Sequence, residues 1–265
     1  LGSVHIGAAP MRLLVSATAT SQPPDATGVS AAPTLPLAQL GGLSNLAFYG
    51  IQGTEILNIP VPPGLEPVAL NAITQLPVNV RSATITVMQD DRTIARVDVA
   101  PGDAAPIVIP LVGAEIVDNA VSVTLRTYLL PLDGYCLDPT NPLRLSDGNV
   151  AFGGVEQAPT AVADFLPPVL RSLTIFVDAD PSQAESDAAV RLAAAVAAHY
   201  GAQYPDISVA PLADGQAGPP EPSAPLQRHI VIREGADVGV SLMGSTGVPA
   251  LLIGGPPDQL ANQSR

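Results

Sequence analysis

Two alternating segments joined by a polar turn set the strongest limit on how this chain can fold. Ala83-Thr84-Ile85-Thr86-Val87-Met88 alternates apolar with polar and is rich in β-branched residues. Gln89-Asp90-Asp91-Arg92 follows, and Thr93-Ile94-Ala95-Arg96-Val97-Asp98-Val99 alternates again. A period of two puts alternate side chains on opposite faces of a strand, and two such runs around a short polar turn predict a hairpin. Shorter strand-like runs lie around it: Glu55–Ile59, Val68–Ile73 after a Pro-Pro-Gly turn, Ile107–Leu111 and Val121–Tyr128. Short strands with turn signals between them predict a β-sandwich of jelly-roll type over residues 37–165.

The pattern changes after Ala163-Asp164-Phe165-Leu166-Pro167-Pro168. Leu173–Val177 is a continuous apolar strand, and Ser182 to Tyr200 has helical spacing, with Pro181 and Ser182 as a start and Gly201 as a stop. Ile207–Val209, His229–Ile232 and Ala250–Ile253 are further apolar runs, Leu212 to Pro225 is a Pro/Gly/Ala loop, and Pro256–Leu260 opens another helix. Apolar strands alternating with a helix predict a parallel sheet covered on both faces, in a small α/β domain over 166–265 that is expected to be truncated. The overall class is therefore mixed. Residues 1–36 are rich in Ala, Ser, Thr and Pro and are expected to form a flexible arm.

Charge limits the partners. The formal net charge is −13, with no basic stripe along the sequence to offset it, which argues against nucleic acid and against an anionic membrane surface. Aromatics make up only 3%, so the cores must be aliphatic. No run approaches the ~20 apolar residues of a membrane helix. The chain begins without Met and shows no signal-peptide pattern over Leu1 to Ser21, so a fragment of a longer protein is expected.

The order of motifs resembles the periplasmic regulatory (B) subunit family of bacterial cellulose synthase. The similarity covers about residues 45–260 and rests on Thr84-Ile85-Thr86-Val87…Asp90…Ile94-Ala95, Ile109-Pro110-Leu111, Asn119-Ala120-Val121, Cys136-Leu137-Asp138 and the joint Leu166-Pro167-Pro168. The chain departs from the family at Asn141-Pro142-Leu143, where a Trp is usual, and it has no Trp at all. The resemblance implies a first carbohydrate-binding domain followed by a flavodoxin-like domain. It also implies a non-catalytic role in guiding an emerging polysaccharide, a β-glucan or another envelope glycan. The location would be extracytoplasmic, periplasmic or cell-envelope, with the full-length protein membrane-tethered beside a membrane-embedded glycosyltransferase. No cofactor follows, since fold does not fix function.

Sugar recognition needs flat apolar faces for the ring and polar groups for its hydroxyls. The candidates are Tyr135, Tyr128 and Tyr49, with Asp90, Asp91, Arg92, Asp133 and Asp138. The plain alternatives are that Tyr49 and Tyr128 are core or rim residues and that Asp90–Arg92 is a solvated hairpin tip. Asp133, Asp138, Asn141 and Asp147-Gly148-Asn149 could offer oxygen ligands to Ca²⁺, but they lack EF-hand spacing and read as turn formers, so no metal is assigned. Cys136 is expected to be a buried structural thiol. Asp178 and Asp180 end a parallel strand, where α/β proteins place ligands, and support the alternative of a carbohydrate-active hydrolase; they also fit the start of a helix. Gly244-Ser245-Thr246-Gly247 resembles an anion-cradling loop without the Walker lysine. A protein-binding envelope scaffold is the remaining alternative.

Overall fold

The computed structural model describes residues 32–213, 216, 218–244 and 247–263. Among the described residues, the first half holds nine strands: β1 (Thr34–Pro36), β2 (Leu46–Phe48), β3 (Gln52–Pro60), β4 (Leu65–Gln75), β5 (Val80–Gln89), β6 (Arg92–Val99), β7 (Asp103–Pro110), β8 (Ala120–Pro131) and β9 (Leu143–Gly154). They form two sheets, one in the order β1-β9-β4-β7 with β2 also on β9, the other in the order β3-β8-β5-β6. All of these pairs are antiparallel. Counting β1 and β2 as one interrupted first strand, the sheets read 1-8-3-6 and 2-7-4-5, the wiring of a jelly-roll sandwich.

Alternation explains the packing. In β8, Val121, Val123, Leu125 and Leu129 are buried, while Ser122, Arg126, Tyr128 and Leu130 are exposed. Facing them across the sandwich are Leu70, Ile109, Leu145 and Val150, so the core is mainly aliphatic, with Phe48 and Phe152 also buried in it. Each fully buried Leu, Ile or Val stabilises the fold by about 1.5–3 kcal/mol.

The predicted hairpin is present, with β5 and β6 joined by Asp90-Asp91 and Asp90 at φ 51°. The segment Asp147-Gly148-Asn149, expected to be a turn, lies inside β9. There the pairing with β4 shifts register, and Asp147 takes φ 53°. A bulge needs the same left-handed and glycine residues as a turn, which is why the two look alike in sequence. The arm expected over 1–36 lies outside the described residues up to position 31, and Thr34–Pro36 form β1 on the edge of β9.

The second half holds β10 (Ser172–Val177), α1 (Gln183–His199), β11 (Asp206–Pro211), β12 (Gln227–Glu234), β13 (Gly239–Met243), β14 (Ala250–Gly255) and α2 (Pro257–Gln263). The sheet order is β11-β10-β12-β14-β13, parallel except for β13. Ser182 caps α1 in a capping box, its hydroxyl accepting from Glu185 N at 3.2 Å while Glu185 Oε2 accepts from Ser182 N at 2.9 Å. α1 and α2 pack on the face of Leu173, Ile175, Ile230, Ile232 and Ile253. On the other face, Phe176 and Val231 cluster with Leu212, at the start of the Pro-rich loop. A flavodoxin-like domain, with helices following its parallel strands on both faces, is not evident. Among the described residues only the β10 to β11 crossover carries a long helix, and β12 is approached through Pro219, Pro220, Pro222 and Pro225, which disfavour a helix.

Candidate functional site

The outer face of the β3-β8-β5-β6 sheet carries ordered rows of side chains. Register places Gln52, Tyr128, Thr84 and Asp98 in one row. The next row is Thr54, Arg126, Thr86 and Arg96. A shallow groove of about 480 Å³ runs here, lined by Gln52, Gly53, Thr54, Thr86, Arg126, Thr127 and Tyr128. Tyr128 is 47% exposed and stands between amide, hydroxyl and guanidinium groups. An aromatic face beside several short hydrogen-bonding side chains is the surface that a sugar ring and its hydroxyls require.

Local sequence builds this face. Gly53 lets β3 approach closely, since a Cβ there would lie 2.6 Å from Phe48 Cβ and 2.9 Å from Thr127 Oγ1. Buried Thr127 faces inward and fixes the edge strand, accepting from Gly53 N at 3.1 Å. Gln52 and Thr54, either side of Gly53, therefore point outward beside Tyr128 and Arg126.

The eight residues singled out from the sequence do not converge. Tyr128 lies in the groove. Tyr49, three residues before Gln52, and Asp133 and Tyr135, just past β8, stand at the same end of the sheet. Tyr49 and Tyr135 are 58% and 57% exposed, so neither Tyr49 nor Tyr128 is a core residue. Asp133 forms an ion pair with Arg81, where β5 is bulged. Tyr135 closes a turn, its N–H donating to Leu132 O at 3.0 Å with Gly134 at φ 80°. Asp90 and Arg92 lie at the other end of β5, and Arg92 donates to Gly113 O at 2.8 Å, which ties the hairpin to the loop before β8. Asp138 accepts from Thr140 N at 2.8 Å and Thr140 Oγ1 at 2.7 Å, and these two bonds hold its carboxyl below the usual aspartate range.

The sequence reading passed over Gln52, Thr54, Thr86, Arg96 and Arg126. A signal was present: Arg126 is two residues before Tyr128 in an alternating strand, so it shares its face. The partners on β3 and β5 depend on register between distant segments. Cys136 is exposed, not buried, because its loop leaves the sandwich and Leu137 packs on the core instead. Among the described residues no group of three or more His, Cys, Asp or Glu is placed to hold a metal ion. Asp147 and Asn149 are strand residues, with Asn149 bonded to Asn71 at 3.1 Å, apart from the turn of Asp138.

Asp178 and Asp180 line an open cleft at the carboxyl edge of the parallel sheet with Leu212, Gln216 and Arg233, and Asp178 Oδ1 is 3.9 Å from Arg233 Nε. Of the loop Gly244–Gly247, Ser245 and Thr246 lie outside the described residues. Among the described residues no helix is long and apolar enough to cross a membrane.

No family model matches the sequence, and no curated protein matches it. Similar solved structures include the carbohydrate-binding module TmCBM61 in complex with β-1,4-galactotriose, 9% identical over 42% of this chain and 68% of that one, with a TM-score of 0.25. An acetyl xylan esterase, Est2A, from the rumen bacterium Butyrivibrio proteoclasticus is 14% identical over 62% of this chain and 41% of its own, with a TM-score of 0.21. A chain of the T13 IBDV viral particle is 17% identical over 48% of this chain and 32% of its own, with a TM-score of 0.26. The chain thus spans about two thirds of the first and less than half of the other two. At TM-scores this low the likenesses carry no argument about what the chain does.

Proposed function

We propose that the chain is a polysaccharide-binding module whose ligand lies along the outer groove of the β3-β8-β5-β6 sheet. The observation that carries this reading is Tyr128, half-exposed in mid-sheet and flanked in register by Gln52 and Thr84, with Arg126 and Thr54 in the next row. On this reading the role is a non-catalytic one, in which stacking and hydrogen-bonding groups hold the sugar chain.

The sequence resemblance supports a more specific role. The module guides a β-glucan or another envelope glycan away from a membrane-embedded glycosyltransferase, in an extracytoplasmic, membrane-tethered protein. The hydrolase alternative rests on Asp178 and Asp180, whose cleft brings an arginine to Asp178. It predicts oligosaccharide turnover that Asp178→Asn abolishes.

Calorimetric titration with cello-oligosaccharides and other β-glucans tests the binding reading. Saturable binding is expected, weakened by Tyr128→Ala by about 0.5–1.5 kcal/mol, roughly two- to twelvefold. A larger loss in Tyr135→Ala than in Tyr128→Ala would move the site to the loop after β8. Failure to bind any glycan would sink the reading in favour of protein docking.

A further inference from the structure

The two arginines on the groove face set the charge of the ligand. We infer that the glycan bound there is anionic, a polysaccharide bearing carboxylates such as a polyuronate; this rests on the groove being the glycan site. Arg126 and Arg96 belong to one row across the sheet, separated by Thr86. Strand spacing puts their backbones about 10 Å apart, so one bound chain can meet both with carboxylates on different residues. Both side chains are exposed.

Their shared placement in one row is the informative point. Among the described residues, Arg81, Arg92, Arg228 and Arg233 are each engaged by a carboxylate or a carbonyl, and the side chains of Arg144, Arg171 and Arg191 stand unengaged elsewhere in the fold. Among the described residues, Arg96 and Arg126 have no ion-pair or hydrogen-bond partner. This occurs in a chain with a net charge of −13, where acidic groups outnumber basic ones 24 to 11. The outward positions of β3, β8 and β5 carry no acid; they are Gln52, Thr54, Ile56, Asn58, Ser122, Thr124, Tyr128, Leu130, Ser82, Thr84, Thr86 and Met88 beside Arg126. The one carboxylate of the two rows is Asp98, on edge strand β6 in the row of Tyr128. Three strands with no outward acid in so acidic a chain, and two unengaged guanidinium groups in one row, are complementary to carboxylates, which guanidinium can bind bidentately. A neutral glucan would need neither feature.

Titration with two oligosaccharides of one backbone tests this: cello-oligosaccharide and a β-1,4-linked oligoglucuronate of equal length. The oligoglucuronate is expected to bind about tenfold more tightly. Arg126→Gln and Arg96→Gln should each weaken uronate binding by about three- to tenfold and shrink the preference for it over the neutral sugar. Asp98→Asn should strengthen uronate binding. Circular dichroism melts of each variant separate loss of contact from loss of fold. If the cello-oligosaccharide binds as tightly, or the preference survives both arginine changes, the anionic ligand is overturned while the glycan groove stands. If neither sugar binds, the groove reading itself falls.

Discussion

Arg228 and Glu156 form a buried ion pair, Nη2 to Oε1 at 2.7 Å, between β12 and the segment that follows β9. Arg228 is 2% exposed and also donates Nε to Phe165 O at 2.8 Å and Nη1 to Gln227 O at 2.9 Å. The other oxygen of Glu156 accepts from Leu226 N at 2.8 Å. Arg228 and Oε2 of Glu156 are thus hydrogen-bonded as well as paired, which offsets burial of the charges, while Oε1 has the Arg228 contact alone. The pair fastens the parallel sheet to the end of the sandwich, beside the joint that Tyr200 and Gln203 hold through Pro167 O and Pro168 O.

Removing one partner leaves the other charge buried and alone. Arg228→Met is expected to lower stability by about 3–5 kcal/mol. The double change Arg228→Met with Glu156→Leu should recover part of that loss, because neither charge then remains. Urea unfolding of the two variants against the parent checks this. A single variant with an unchanged midpoint would show that the joint does not depend on the pair.

Tyr200 gives the protein an alkaline limit. Its hydroxyl donates to Pro167 O at 2.6 Å, and burial pushes its pKa up to about 12, with Arg228 opposing the shift. The folded state therefore keeps a proton that the unfolded chain releases nearer pH 10. Its contribution is fully present below about pH 10 and is lost as pH rises toward 12, at up to about 1.4 kcal/mol per pH unit. Tyr200→Phe should flatten this slope. A parent and variant with equal slopes over that interval would contradict it.

Local signals in the sequence carried much of this architecture. The β5-β6 hairpin, the Ser182 start of α1 and the apolar strands β10, β12 and β14 follow from period, capping and β-branched content, which act within a few residues. β9 was missed because Asp147-Gly148-Asn149 interrupts its alternation, and a bulge and a turn share those residues. β13 was missed because Gly239–Met243 is short and only partly buried on a sheet edge. The groove was visible only in Tyr128. Arg96 and Arg126 are thirty positions apart, and only the pairing of β5 with both β6 and β8 sets them in one row. The −13 charge argued against nucleic acid and an anionic membrane surface, but a total says nothing of where the few cations lie.

Asp138 offers a local check on the loop after β8. Two bonds from Thr140 hold its carboxyl below the ordinary range, so the turn is favoured at neutral pH and weakens as pH falls through that lowered value. Thr140→Ala removes the hydroxyl bond and should raise the Asp138 midpoint in a carboxyl-detected NMR titration. An unmoved midpoint would mean that the turn does not hold the carboxylate.

Gly53 ties stability to the site. A Cβ there meets Phe48 Cβ at 2.6 Å and Thr127 Oγ1 at 2.9 Å, and both neighbours are buried. Relief requires β3 to move outward from the edge of β8, which carries Gln52 and Thr54 away from Tyr128 and Arg126. Gly53→Ala is therefore expected to cost about 1–3 kcal/mol of stability, as overpacking does. It should also weaken glycan binding although no groove side chain has changed. Thr127→Val leaves Gly53 N–H without its partner at a comparable cost, about 1–3 kcal/mol, but adds no bulk to displace β3. Greater loss of affinity in Gly53→Ala than in Thr127→Val at matched stability would place the recognition groups on the β3 edge. Full affinity in Gly53→Ala would show that Gln52 and Thr54 do not contact the ligand and that the site lies toward β5 and β6.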